Sequence, residues 1–337
     1  MVAAQTEDTG TTPLMVAAER GDAAMVQLLL RSGAPWNQTD SRGRDAGSLA
    51  FRQGHQEVSD MLVEAGVTAE LLFRTMASRE RLGGVESEAS SSNRKYLARG
   101  VRYEGEDKLL DDDDRGVMME WERPLMKGHA AIICQTQGHV LNVGFGMGIV
   151  DSFIQEHSPR SHTIIEAHPT VHSRMLADGW DRKPGVNVVY GRWEDVIDSL
   201  GPFDGIFFDT FDDDFEAFHA HLPRLLKPGG CYSFFNGIHP ENVFFQGVAC
   251  EVIKRELAGY GLASTFVPCP VACDDDATWD GVSFRYFQGG QYFLPVCYWA
   301  DKGGGTEGGD ADKAGGIAPD NAEAAGAPSA DSTDLLT

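Results

Sequence analysis

The sequence predicts an α/β fold built on a doubly wound, mainly parallel sheet, and three features indicate it. Between His139 and Trp299, short apolar runs alternate with stretches whose apolar residues recur at helical spacing. The first apolar run leads directly into a glycine-rich turn. The last run has no helix before it, so we expect it to insert antiparallel. At 337 residues and 42% hydrophobic residues, the chain can bury one large core and a smaller unit.

The strands and helices of this sheet can be predicted in order. The strands are expected at 139–145, 162–167, 186–190, 203–209, 231–235, 263–267 and 292–299. Helices are expected up to Glu156, through Met175, and over 194–200, 214–226 and 241–260. Ligands of such sheets bind beyond the carboxyl ends of the strands. The first four strands end at Gly144, Glu166, Trp193 and Asp209, so these four residues should share one crevice.

The glycine-rich turn predicts a nucleotide-cofactor site. Gly144, Gly146 and Gly148 lack Cβ atoms, so the backbone can turn tightly and approach a ligand. Glu166 ends the second strand, where a carboxylate can accept hydrogen bonds from ribose hydroxyls. A dinucleotide motif would need glycine where Ile149 stands, which favours a different cofactor.

The N-terminal segment repeats itself. Gly21 and Gly54, like Leu29 and Leu62, are 33 residues apart, a period that resembles the ankyrin repeat. Two repeats cannot bury their faces alone, so they should dock on a helix at Ala69–Met76 or on the main domain. They could bind a protein partner or serve as a structural appendage. We assign residues 1–77 to this ankyrin-like segment, 78–95 to a linker, 96–300 to the main domain and 301–337 to a disordered, acidic tail rich in Gly and Ala.

Charge and cysteine content limit the partners. The net charge of −23 disfavours nucleic acid and suits a basic ligand. The six cysteines show no framework spacing, so we expect reduced thiols. No segment resembles a signal peptide or a membrane span, so we expect a protein of the cytoplasm or nucleus without a membrane partner. His219, His221 and His239 lack metal-ligand spacing, so no metal is expected.

Six segments resemble one group of the class I S-adenosylmethionine-dependent methyltransferases, and they occur in the same order as in guanidinoacetate N-methyltransferase. They are GVMMEWERPLM (116–126), LNVGFGMGI (141–149), IIEAHP (164–169), GRWEDV (191–196), FDGIFFDTF (203–211) and RLLKPGG (224–230). They resemble more closely the fungal-type protein arginine N5-methyltransferase family, often called protein arginine methyltransferase 2. That family also has ankyrin-like repeats and an ending similar to Tyr292–Trp299. The resemblance covers about residues 94–300, and 11–66 more loosely.

The resemblance implies S-adenosylmethionine as cofactor and a set of site residues. It places a guanidino clamp at Asp209, with Glu120 as its partner carboxylate for both catalysis and substrate binding. Judged by residue type alone, Glu120 could be a solvent-exposed charge on a helix, and Asp209 could have only a capping role. The implied cofactor contacts are Tyr96, Met126, Gly144, Phe145, Gly146, Met147, Gly148, Ile149, Glu166, Ala167, His168, Trp193 and Glu194. Trp193 could equally be a core residue, and His168 a structural neighbour of Glu166.

The predicted activity is methyl transfer to the internal (δ) guanidino nitrogen of arginine in a protein. The expected partner is a basic, arginine-containing protein, with ribosomal proteins as one candidate class. The acidic run Asp212–Asp214 follows the predicted substrate site and could attract such a partner. Two alternatives remain at this point: a methyltransferase acting on a small guanidino compound, and an inactive ankyrin-type binding module.

Overall fold

Seven strands form the central sheet of the protein, in the order β6-β5-β4-β7-β8-β10-β9. We describe them from a computed structural model that places residues 4–81, 88–211, 215–288 and 290–300. The strands are β4 (His139–Val143), β5 (Ser161–Glu166), β6 (Val186–Tyr190), β7 (Phe203–Phe208), β8 (Leu226–Phe234), β9 (Leu262–Pro270) and β10 (Gln291–Trp299). Strands β4 to β8 pair in parallel, whereas β10 runs antiparallel to both β8 and β9. This confirms the predicted sheet and its antiparallel last strand.

Both faces of the sheet are covered, because its central strands are apolar on both sides. In β7, Phe207 packs into one core, while Ile206 and Phe208 pack into the other. The helices around the sheet are α6 (Arg123–Ile133), α7 (Ile149–Glu156), α8 (Pro169–Ala177), α9 (Trp193–Val196), α10 (Phe215–His219), α11 (Leu222–Leu225) and α12 (Val243–Gly259). The single helix predicted at 214–226 is thus two short helices, and Pro223 lies in the first turn of the second.

A second, antiparallel sheet precedes the central one, and the sequence did not predict it. It has three strands in the order β1-β2-β3. They are β1 (Val101–Glu104), β2 (Lys108–Asp111) and β3 (Gly116–Met119). Four-residue strands separated by acidic turns give too little alternation to be recognised from sequence.

The N-terminal segment forms two helix pairs, as the repeat predicted. They are α1 (Pro13–Glu19) with α2 (Ala23–Arg31), and α3 (Ala46–Arg52) with α4 (Gln56–Arg81). The predicted separate helix at Ala69–Met76 is the second half of α4, so it offers the repeats no independent surface. Their docking partner is α12, whose Phe244, Val248 and Val252 complete the core of the ankyrin-like segment.

The predicted linker at 78–95 contains the end of α4 and most of α5 (Glu88–Leu97). Residues 82–87, the acidic run at 212–214 and the predicted tail after residue 300 lie outside the described residues. Within the described ranges, no helix is both long enough and apolar enough to cross a membrane.

Candidate active site

The glycine loop after β4 is held at the carboxyl ends of three strands. Gly144, Gly146 and Gly148 adopt φ values of 97°, 56° and 71°, which side chains with a Cβ rarely adopt. A Cβ on Gly144 would also lie 1.8 Å from the carbonyl oxygen of Asp209. The N–H of Gly144 donates to the Ile165 carbonyl (2.9 Å), so β5 and β7 both fix the loop.

Glu166 closes this loop from the end of β5. Its carboxylate accepts hydrogen bonds from the backbone N–H groups of Phe145 (3.0 Å) and His168 (2.5 Å). The side chain is 7% exposed, and burial raises its pKa to about 6. Glu166 lines the cleft beside the loop, so the same carboxylate that organises the loop can accept the ribose hydroxyls of a nucleoside.

Helix α5 forms one wall of that cleft. The Asn93 amide donates to the Phe211 carbonyl (2.9 Å), and the Tyr96 ring packs against Phe211 with 4.7 Å between centroids. The segment predicted as a linker therefore supplies part of the cofactor site. The cleft is lined by Asn93, Tyr96, Leu97, Val117, Met118, Val143, Gly144, Gly146, Ile165, Glu166, Ala167, Val171, Gly191, Arg192, Trp193, Glu194, Asp209, Thr210 and Phe211.

Trp193 and Glu194 line this cleft, whereas His168, also predicted as a cofactor contact, is buried and does not line it. The Trp193 ring makes edge contacts with Phe208 and Phe218 in the core. It therefore packs into the core and also lines the cleft. Glu194 is partly exposed and pairs with Arg192. His168 caps α8, and its Nε2 donates to the Arg99 carbonyl (3.1 Å), which is a structural role.

The remaining predicted cofactor contacts divide into loop and core residues. Phe145 and Ile149 are buried, and the Met147 N–H donates to the Met118 sulfur (3.2 Å). Phe145, Met147, Gly148 and Ile149 line a separate cavity and not the cleft itself. Met126 is fully buried in the core and does not line the cleft as predicted, and Met118 of β3 lines it instead.

Glu120 does not reach the site either. Its carboxylate is 39% exposed and pairs with Arg123 one turn further along. The chain turns after β3 through a 3₁₀ helix, Glu120–Glu122, which directs Glu120 outward and Glu122 inward. The structure therefore does not place Glu120 as the partner of Asp209, and the buried carboxylate of this turn is Glu122.

Glu122 is a buried carboxylate, 3% exposed. The backbone N–H of Met119 (2.8 Å) and the hydroxyl of Tyr286 both donate to its Oε1. Burial raises the pKa of Glu122 well above its usual range, and the nearby charge of Asp209 adds to this shift. Both of these donors bind Oε1, so neither of them occupies Oε2.

Asp209 follows β7, and its N–H donates to the Val143 carbonyl (2.9 Å). Loss of solvent raises the pKa of its carboxyl strongly, and the buried Asp151 raises it further. A second cavity, of about 190 Å³, adjoins Asp209. It is lined by Phe208, Asp209, Thr210, Phe215, Phe235, Gly237 and Ile238. Asp209 thus lies between the cofactor cleft and a mainly apolar cavity.

Burial raises the pKa of both carboxyl groups, so a bound cation would stabilise their ionised forms. The site joins such a pair to a glycine loop and a ribose-binding carboxylate, on a sheet with an antiparallel last strand. This fold and site define a class I S-adenosylmethionine-dependent methyltransferase.

Comparison with known proteins gives the family. The model of the guanidinoacetate N-methyltransferase family matches residues 86–241, and that of ankyrin repeats in three copies matches residues 2–71. Protein arginine N-methyltransferase 2 of Aspergillus oryzae is 36% identical over 332 residues, covering 84% of this chain and 79% of its own. The protein of that name from Saccharomyces cerevisiae is 30% identical, covering 80% and 76%. The chain belongs to the protein arginine N-methyltransferase 2 family.

Solved structures are less similar to this chain in sequence than these relatives are. The O-methyltransferase TomG of Streptomyces achromogenes is 16% identical with a TM-score of 0.39, covering 64% of this chain and 100% of that one.

Proposed function

We propose that this methyltransferase modifies arginine residues of a protein at the internal (δ) guanidino nitrogen. The observation that supports this most directly is a pair of carboxyl groups: Asp209, which is half-buried and lines the cofactor cleft, and the buried Glu122, whose pKa is raised in part by the charge of Asp209. The family supports a protein rather than a small guanidino compound as substrate, and the intact site disfavours an inactive binding module.

The residues present fit S-adenosylmethionine. The glycine loop leaves room for the backbone to approach the cofactor, Glu166 can accept from its ribose, and Tyr96 and Met118 offer apolar surface. When bound, the cofactor supplies a methyl group on a positively charged sulfur.

Glu122 and Asp209 would bind the guanidinium and compensate its charge. A guanidinium is planar and charged at physiological pH, and it pairs in a fork with carboxylates. Two carboxylates also offset the repulsion between the guanidinium and the sulfonium. Fixing the reactants in this way contributes about 7–11 kcal/mol to lowering the barrier in favourable cases.

The same carboxylates can accept the proton that the attacking nitrogen must lose. A carboxylate whose pKa is raised toward neutrality is a better proton acceptor than an ordinary one. Burial raises the pKa of Glu122 and of Asp209. We assign the proton to Asp209, because it lies at the cofactor cleft, whereas Tyr286 and Met119 hold Glu122 by Oε1.

The geometry proposed for the substrate favours the δ nitrogen. If the two carboxylates bind the two terminal nitrogens of the guanidinium, the substituted nitrogen faces the methyl group. The cavity of about 190 Å³ beside Asp209 would then take the aliphatic part of the arginine side chain. A net charge of −23 favours a basic protein as partner, and ribosomal proteins are one class of this kind.

Labelled cofactor tests this function. The protein is incubated with methyl-labelled S-adenosylmethionine and a basic protein extract, and labelled proteins are hydrolysed to amino acids. We expect label in monomethylarginine. Labelled proteins that yield no labelled methylarginine would contradict the proposal, and so would label found only in a small guanidino compound.

A further inference from the structure

The ankyrin-like segment contacts the catalytic unit next to the cavity beside Asp209. Residues 235–241, here called the cavity loop, connect β8 to α12. Phe235, Gly237 and Ile238 of this loop line that cavity. The loop ends at Asn242, whose Oδ1 accepts from the N–H of Phe245 (2.9 Å) and so caps α12.

The other end of the Asn242 amide contacts the ankyrin-like segment. Its Nδ2 donates to Asp45 Oδ2 (2.9 Å), and Asp45 is fully buried. Asp45 is itself the N-cap of α3, where it accepts from the N–H (2.7 Å) and the hydroxyl (2.6 Å) of Ser48. One amide thus joins the caps of two helices that belong to different units.

Packing around this hydrogen bond is too close to allow sliding. A Cβ on Gly47 would lie 2.1 Å from the Phe244 ring, so α3 and α12 touch at van der Waals distance. The Trp36 ring meets Phe244 and Phe245 edge-on, at 6.2 and 5.5 Å between centroids. The first turn of α12 therefore follows any movement of the ankyrin-like segment.

A second contact reaches another wall of the same cavity. Arg74 of α4 pairs with Glu216 and with Glu256 (3.2 Å). Glu216 lies on α10 next to Phe215, which lines the cavity. The ankyrin-like segment thus contacts residues adjoining two parts of the cavity wall.

We propose that the ankyrin-like segment positions the cavity loop, with Asp45 and Asn242 as the positioning residues, and so sets the affinity for the arginine side chain. This proposal rests on the proposed function, because that function places the substrate arginine in the cavity beside Asp209. It differs from a recruiting role. A recruiting segment would affect only a whole protein substrate, whereas a positioning segment also affects a short peptide.

Asn242→Asp tests this directly. The variant keeps the capping oxygen of α12 but replaces the donor to Asp45 by an acceptor. The control is Arg255→Gln, which breaks the pair of Arg255 with Glu64 between the same two units at the other end of α12. Steady-state kinetics use a short arginine-containing peptide with blocked termini. We expect Asn242→Asp to raise KM for this peptide by about tenfold, with kcat and cofactor affinity nearly unchanged. Arg255→Gln should leave all three constants unchanged.

Hydrogen exchange of the cavity loop gives a readout that does not need activity. Asn242→Ser keeps a capping oxygen but removes the amide group that donates to Asp45, so it is the variant used if Asn242→Asp does not fold. We expect faster exchange at residues 235–241 in Asn242→Ser, and no change in Arg255→Gln. Unchanged loop exchange would overturn the proposal, and so would faster exchange with an unchanged peptide KM. If the wild type methylates arginine neither in the peptide nor in the basic protein extract, the proposed function fails, whereas the loop exchange still decides the coupling.

Discussion

The hydroxyl of Tyr286 donates a hydrogen bond to Oε1 of Glu122, across 164 residues of chain. Tyr286 lies in the irregular segment 271–288 between β9 and β10, where its ring packs against Trp121 and Trp279. This segment therefore fixes the orientation of a buried carboxylate in the candidate substrate site.

Tyr286→Phe should weaken substrate binding and change its pH dependence. The hydrogen bond from Tyr286 lowers the pKa of Glu122, whereas burial raises it. Binding of a guanidinium needs the ionised carboxylate, so kcat/KM should rise with pH until Glu122 has lost its proton. Removing the donor raises this pKa further, so the acid limb should move to higher pH. We expect KM for an arginine peptide to rise by about tenfold at neutral pH.

The control for this variant is Tyr298→Phe, a half-exposed tyrosine on β10 outside the site. It should leave KM and the pH profile unchanged. If Tyr286→Phe lowers activity equally at all pH values, its hydroxyl does not act through the ionisation of Glu122.

Glu122→Gln and Glu120→Gln form a matched pair that tests the corrected site. Glu122→Gln removes a charge from a desolvated cation site, so kcat/KM should fall by at least about a hundredfold. Glu120→Gln breaks only an exposed pair with Arg123, which contributes about 0–1 kcal/mol to stability. Both variants are measured on the same arginine peptide, with cofactor affinity as a check on folding. A larger effect at Glu120 would restore the assignment made from sequence.

Glu166→Ala should weaken cofactor binding by more than the loss of a ribose contact alone would. The Glu166 carboxylate also accepts from Phe145 and His168, so its removal loosens the glycine loop. Each lost hydrogen bond to a charged group costs about 1.5–3 kcal/mol. Isothermal titration with S-adenosylmethionine measures the change, and Glu194→Ala, at a partly exposed position, should have a smaller effect. Equal affinities of wild type and Glu166→Ala would exclude this residue from the cofactor site.

Gly47→Ala should destabilise the whole protein. The added methyl would overlap the Phe244 ring, and overpacking of a core costs about 1–3 kcal/mol. The matched control is Gly247→Ala in α12, where a Cβ has no neighbour within 4 Å and alanine favours the helix. Thermal unfolding should show a lower Tm for the first variant and an unchanged or higher Tm for the second. Equal Tm values would mean that α3 and α12 are not close-packed.

The central sheet could be predicted because each of its strands leaves a local signal. Phe207 faces one core while Ile206 and Phe208 face the other, which produces the continuous apolar run that the sequence displays. The glycine loop, Glu166 and Asp209 follow from where such runs end. The strands of the small sheet are too short to leave a comparable pattern.

Glu122 could have been found by helical spacing. It lies on the same face as Met126 and His129 of α6, both fully buried, and Glu120 is out of phase with them. The partner of Glu122 could not have been found this way. Tyr286 reaches Glu122 only through tertiary packing, and neither Tyr286 nor the wall formed by α5 leaves a local signal.

The position of the transferred methyl group tests the central claim most directly. An arginine peptide methylated by the wild-type protein is hydrolysed, and the methylarginine is fragmented in a mass spectrometer against standards for each isomer. The arrangement of Glu122 and Asp209 around the terminal nitrogens predicts δ-N-monomethylarginine, with no dimethylated product. Methyl on a terminal nitrogen, or any asymmetric dimethylarginine, would contradict it.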